Sequence, residues 1–324
     1  AGGMSGVYVE NISGWGTTVN YNSAHFTQAG LPLVYDNHTQ KIGILSMFST
    51  YEYLRALADP LRKDDKLIMA SGAFGFPIHL VDIACLEVDW CREGRWYPST
   101  DDTLATYRAL AHQKPICLSL GTDFDSFLRE PILADLDEKV DESVERQPSL
   151  IMAERYFQWA LFYGMFPGFF SKDGDTGAFF ENPDWYNMVR PLFVKYLPLI
   201  QELSKAGWEP ITGAETAEAE RVYLERYGRG EQGQVFITSR YGDQRWQMST
   251  EEGRDVREQL AEPVTAEIDV NMAHVGFLGK ESFEVFDLLA GAPIEFRYEQ
   301  SHLYYSVTLQ PHGVHLIRIR PAGG

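Results

Sequence analysis

Cysteine is scarce: Cys85, Cys91 and Cys117 are the only three in 324 residues. That is too few for a disulfide framework, and none of their spacings matches a zinc-ligand pair. They read as buried or free thiols. Basic charge is scarce too, with 28 Lys and Arg against 46 Asp and Glu and a formal net charge of -18. Such a balance gives no footprint for nucleic acid and argues against anionic lipid surfaces, so the expected ligand is neutral or cationic. No run reaches the roughly 18 apolar residues of a membrane helix, and no charged-then-apolar leader opens the chain. A membrane partner is therefore not expected. No glycine-rich phosphate loop follows a strand, no serine elbow is present, and no repeat of about 20 to 50 residues recurs. The run Asp173-Gly174-Asp175-Thr176-Gly177, with Glu181 beyond it, is incomplete as a calcium loop and reads as a turn. No metal and no cofactor is expected.

What the chain does contain is a succession of short apolar runs alternating with helical stretches, the pattern of parallel strands buried on both faces. Gly6–Ile12, Lys66–Ser71, Leu80–Asp89, Lys114–Gly121 and Gly164–Phe170 read as strands. Helices are expected over about Ser49–Arg62, Asp101–His112 and Asn182–Ala206, and a long one before Gly164. The predicted fold class is α/β: a (β/α)8 TIM-barrel-type domain followed by an antiparallel β-sandwich. Residues 1–206 form the barrel portion and 207–324 the sandwich. The barrel strands number five where closure needs eight, so the barrel reads as truncated at its N-terminus. A fragment of a longer protein is the favoured explanation, because Ala1-Gly2-Gly3 resembles a cloning remnant or cut site. Completion by an N-terminal barrel segment or by self-association is the alternative.

From about Gly207 the pattern changes to alternating runs at Gln234–Ser239, Val264–Val270, Phe283–Leu289, Ile294–Tyr298, Leu303–Leu309 and Val314–Ile319. The last two read as a hairpin across Gln310-Pro311-His312.

Chemistry is expected at the C-terminal tips of the parallel strands. Period-two alternation puts Ile83, Cys85, Glu87 and Asp89 on one strand face, so two carboxylates project together. Paired carboxylates suit glycoside cleavage, in which one protonates the leaving oxygen and the other attacks or stabilises an oxocarbenium-like centre. Around them lie Trp15, Trp90 and Trp96, whose faces suit sugar rings. Polar groups on the loop from Ser13 to Met47, His25 and Asp36 among them, could fix hydroxyl positions. Asp123, on the strand face of Cys117, Ser119 and Gly121, either binds sugar hydroxyls or caps a helix.

A strand-tip-acid barrel followed by a small sandwich resembles the glycoside hydrolases of the α-galactosidase and α-amylase kind. The run Gly6-Val7-Tyr8-Val9-Glu10-Asn11 resembles their fourth-strand "D-G-x-Y-x-D" tip, with Ser5 and Glu10 in place of the usual aspartates. Glu87 and Asp89 fall at the sixth strand. The resemblance implies an oligosaccharide or glycoside substrate, retention of configuration, Glu10 as nucleophile and Glu87 or Asp89 as acid/base. It also points to a secreted or periplasmic address, which the chain itself does not spell out. A catalytically inactive carbohydrate-binding or scaffold protein, its substituted fourth-strand motif marking a decayed site, is the competing reading.

Overall fold

The computed structural model describes residues 5–12, 18–88, 90–92, 95–96, 98–120, 142–169, 183–242, 262–311 and 313–323. The chain divides into two compact units, one of Ala1–Glu87 with Asp101–Ser119 and one of Val88–Thr100 with Leu120–Gly324. It is a mixed α/β molecule with a parallel sheet and several antiparallel ones.

The first unit begins with β1 (Gly6–Val9), β2 (Val19–Asn20), β3 (Val34–Asp36), β4 (Lys41–Leu45) and helix α1 (Ser46–Lys63). Then come β5 (Leu67–Ser71) and β6 (Ile83–Val88). After the short ribbon of β7 (Cys91–Arg92) and β8 (Arg95–Trp96), which belongs to the second unit, helix α2 (Asp101–Leu110) leads to β9 (Ile116–Leu120). β1 pairs in parallel with β5, and β5 with β6, while β9 takes the other side of β6. The pairing at Gly6 is close: a Cβ added there would collide with the Leu67 carbonyl, which accounts for glycine at the head of this motif.

One face of the sheet is apolar. Ile68, Ala70, Ala84 and Leu86 are buried there, with Ile116, Leu118 and Leu120 from β9. The other face carries Tyr8, Met69, Ser71, Ile83, Cys85 and Glu87, aligned by the registers Tyr8↔Met69, Met69↔Ile83 and Ser71↔Cys85. Between β5 and β6 the chain makes only a 3-10 turn, Phe76–Leu80, because Gly75 at φ 74° and Pro77 interrupt any longer helix. One expectation changes here. The stretch expected to be all loop instead holds a small antiparallel sheet, β2-β4-β3, ahead of α1.

The second unit carries α3 (Glu142–Tyr163), β10 (Phe166–Phe169) and α4 (Pro183–Ala206). It continues with β11 (Trp208–Glu209), β12 (Ala214–Glu215), β13 (Val222–Tyr227), β14 (Val235–Tyr241) and β15 (Val264–Asn271). The last strands are β16 (Phe283–Asp287), β17 (Ala292–Pro293), β18 (Phe296–Glu299), β19 (His302–Leu309) and β20 (Val314–Pro321). They form two antiparallel sheets, ordered β11-β13-β14-β20-β16-β17 and β12-β15-β19-β18. Alternate residues of both meet in one apolar core: Val264, Ala266, Ile268 and Val270 from β15, Leu303, Tyr305, Val307 and Leu309 from β19, opposite Val235, Ile237, Ile317 and Ile319. Each such side chain contributes about 1.5–3 kcal/mol on burial.

β19 and β20 do not form the expected hairpin. β19 pairs with β15 and β18, and β20 with β14 and β16, so the chain crosses from one sheet to the other. The Gly313 amide closes the turn onto the Gln310 carbonyl at 2.6 Å, and the Gly313 carbonyl then accepts from Tyr241 at 3.1 Å, which hands the chain to the second sheet.

The larger sheet has a second buried face. Thr238 Oγ1 and Tyr227 Oη donate to the Phe162 carbonyl at 3.3 and 2.7 Å, and the Arg240 guanidinium lies 4.0 Å from the Trp159 ring centre. The carbonyl is open to them because α3 ends at Gly164, at φ 64°, in a left-handed cap.

Candidate functional site

At the tips of the parallel strands Tyr8, Cys85 and Glu87 come together on the polar face. The Tyr8 hydroxyl donates to Glu87 Oε1 at 2.6 Å and lies 4.0 Å from Cys85 Sγ. Parallel pairing is what allows it: β5 separates β1 from β6, and a tyrosine is long enough to reach across one intervening strand. Ser71, at the end of that strand, is buried and accepts the Asn11 backbone N–H on its hydroxyl while its carbonyl accepts Ile12 N–H at 3.1 Å. The chain leaving β1 is thereby tied to the tip of β5, with Asn11 in the left-handed region at φ 56°.

Burial, reinforced by the bond to Glu87, pushes the Tyr8 pKa well above the usual phenol range. Tyr8 is thus a constant donor at any working pH. The contact with Cys117 on β9, together with burial, likewise raises Cys85, which stays an uncharged thiol beside Glu87. Cys85 and Cys117 are free thiols.

Glu10 follows the last residue of β1, exposed, and makes no side-chain hydrogen bond or ion pair among the described residues. Glu87 is also exposed. The two carboxylates therefore occupy the same end of the parallel sheet, on strands separated by β5. Asp89, Trp15 and Asp123, and the side chain of Trp96, lie outside the described residues.

The other expected residues are engaged in local structure. Asp36 accepts from the Tyr21 hydroxyl, from Thr39 Oγ1 at 2.7 Å and from His38 N–H at 2.8 Å. The Tyr21 bond is the largest cause that drives its pKa far below the carboxylate range. It shapes the β3–β4 turn. His25 is exposed on the short helix Ser23–Gln28, its ring nitrogens 3.0 and 3.3 Å from the Asn20 and Asn22 amides. Trp90 is 1% exposed: it packs edge-on against Tyr156 and Trp159, and its Nε1 donates to Ser99 Oγ at 2.9 Å. Its ring is a core element rather than an open platform, a correction to the sequence expectation whose cause is burial.

Tyr8 is the site residue that sequence reasoning missed, although it sits inside the quoted β1 motif. Its alternation with Gly6 and Glu10 was the available signal, since period two sends all three to one face. Among the described residues no group of three His, Cys, Asp or Glu side chains could hold a metal ion.

No family model matches this chain, and no curated protein matches it by sequence. Among solved structures it is similar to a noncanonic maltogenic α-amylase from Thermotoga neapolitana, with 10% identity and a TM-score of 0.42, covering 83% of this chain and 58% of that one. An α-fucosidase from Thermotoga maritima shares 11% identity at a TM-score of 0.36 over 84% of this chain and 49% of its own. A GH27 β-L-arabinopyranosidase from Geobacillus stearothermophilus shares 11% at 0.31 over 99% and 88%. The chain thus spans about half the length of two of these three, and likeness at this level carries no argument about its chemistry.

Proposed function

We propose that this chain works as a glycoside hydrolase whose parallel strands belong to a (β/α)8-type barrel, with the domain boundary near residue 206. The observation that carries the reading is the Tyr8–Glu87 hydrogen bond at the strand tips. A donated hydrogen bond is worth most to a charged carboxylate. Tyr8 therefore suits Glu87 to the step that needs an anion, attack on or stabilisation of the anomeric carbon. Glu10 or Asp89 then supplies the proton to the leaving oxygen, which reverses the roles that the family resemblance assigns to Glu10 and Glu87. Retention follows if Glu87 forms a bond to the sugar, and it requires the two carboxyl groups to lie about 5–5.5 Å apart.

The test is turnover of a panel of nitrophenyl glycosides by the full chain. Glu87→Gln is expected to lose about 10²–10⁴ of the rate, with Glu10→Gln and Asp89→Asn separating the acid from the bystander. Proton NMR of the first-released anomer reads the stereochemistry. Unchanged turnover in Glu87→Gln would sink the assignment. Saccharide binding without any turnover would replace it with a binding protein.

A further inference from the structure

The second unit has a concave site of its own, on the four-stranded sheet β12-β15-β19-β18. The core-facing residues of β15 and β19 alternate with outward ones, so Asp269 and Asn271 share the outer face with His302 and Tyr304. The register sets Glu215 opposite Asp269 and Asn271 opposite His302. Glu215, Asp269, Asn271 and His302, with His274 on the turn after β15, line a cavity of about 250 Å³. That lies just under the ~300–1,000 Å³ of drug-sized sites and is room for one small ring.

The hydrogen-bond inventory of this cavity is specific. Asp269 Oδ1 meets His302 Nδ1 at 2.6 Å, which engages one oxygen of that carboxylate. Asn271 Oδ1 is taken by the His274 backbone N–H at 2.9 Å, which leaves its NH₂ as donor. Glu215 and the second oxygen of Asp269 make no hydrogen bond among the described residues. Convergent carboxylate acceptors beside the Asn271 amide and the His274 imidazole want a ligand that both donates and accepts at neighbouring atoms, which is a vicinal diol.

Other ligand classes fit less well. Two carboxylates repel an anion. The described residues offer no three-ligand set for a metal. An organic cation would want an open aromatic face, but Arg297 already lies 4.4 Å over the Tyr304 ring, held by Glu299 at 3.3 Å.

We propose that this pocket binds one ring of a neutral saccharide through a vicinal diol, as a second site that does not depend on hydrolysis at Glu87. Glu215 and Asp269 accept from the two hydroxyls, and the Asn271 amide donates to one of them.

The experiment is calorimetric titration of the full chain with D-galactose, D-glucose and L-arabinose, with ethanolamine as the cationic control. It is run on wild type, Glu87→Gln, Glu215→Gln, Asn271→Ala and Asp269→Asn. Glu215→Gln breaks no bond among the described residues, so a folding defect is not expected to obscure it, and thermal melts check the other variants. The expected result is saturable binding of at least one sugar, weakened tenfold or more by Glu215→Gln and by Asn271→Ala and unchanged by Glu87→Gln. Equal affinity in wild type, Glu215→Gln and Asn271→Ala would overturn the proposal. So would the absence of saturable sugar binding, or tighter binding of ethanolamine than of every sugar.

Discussion

The parallel sheet of the first unit and the paired sheets of the second treat polar side chains in opposite ways. In the sandwich the described residues between the sheets are mostly apolar, and among the polar ones Ser239 lies opposite His315, which Asp287 holds at 2.6 Å. In the parallel sheet one face is apolar, while the other gathers a phenol, a serine, two thiols and a carboxylate. A face built that way contributes little burial energy, since polar groups gain little by leaving water. It does hold reactive groups on rigid strands. One region is organised around an apolar core and the other around a row of polar strand-tip groups, and substitutions can separate the two.

The largest effect on folding is expected in the sandwich core. Leu303→Ala, at a fully buried position, should cost about 2–5 kcal/mol, read from urea denaturation. A cost below 1 kcal/mol would mean the inter-sheet core is not the main source of stability.

Next comes the His315–Asp287 pair, 2.6 Å apart. Burial pulls His315 down, but the bonds to Asp287 and the Thr308 carbonyl outweigh it and its pKa is raised. Burial pushes Asp287 up, but His315 and the Ala290 and Leu289 amides bring it below its ordinary value. A raised histidine contributes fully below its unfolded value, about 6.5, and its contribution is lost as pH rises through the folded one. A lowered aspartate contributes fully above about 3.9, and that part is lost as pH falls through its folded value. The pair is worth most between about pH 4 and 6.5. His315→Gln should cost about 1.5–3 kcal/mol near pH 5.5 and less at pH 9, measured by unfolding across pH. A pH-independent cost would show that packing, not charge, is what the histidine supplies.

Tyr8→Phe sharpens the contrast from the other side. It removes one hydroxyl from a half-exposed ring, so melting should hardly move, while turnover should fall about tenfold, the equivalent of 1.4 kcal/mol from the lost bond to Glu87. A large drop in melting temperature without loss of rate would make the polar face structural after all. Smallest is Thr308→Ala, which removes an exposed cross-strand bond to Thr265 and should cost about 0.2–1 kcal/mol.

Much of the fold was legible because both units obey local rules. Ile116–Leu120 is a short apolar run bounded by turn residues, and β15 alternates over its whole length. What escaped depended on distance along the chain. The Tyr8–Glu87 bond joins residues 79 apart, and nothing local specifies that β5 lies between them. Whether Leu303–Leu309 and Val314–Ile319 pair or part depends on which neighbours claim their edges, since a three-residue link serves either outcome. Trp90 was misjudged because an aromatic after a strand tip looks the same on paper whether its ring meets solvent or Trp159. Glu10 and Glu87 were legible as candidates, because strand-end acids can be found from alternation alone; the pairing of Glu87 with the Tyr8 hydroxyl could not.

Strand β14 is buried at all seven of its positions, with Val235 and Ile237 turned to the sandwich core and Thr238 and Arg240 to α3. It is bonded along both edges, to β13 and to β20. Its amides have no local route to water, so their deuterium uptake waits on the opening of the whole second unit. Seven consecutive amides would then exchange at one common rate, and that single strand would serve as a clock for the unit's global stability.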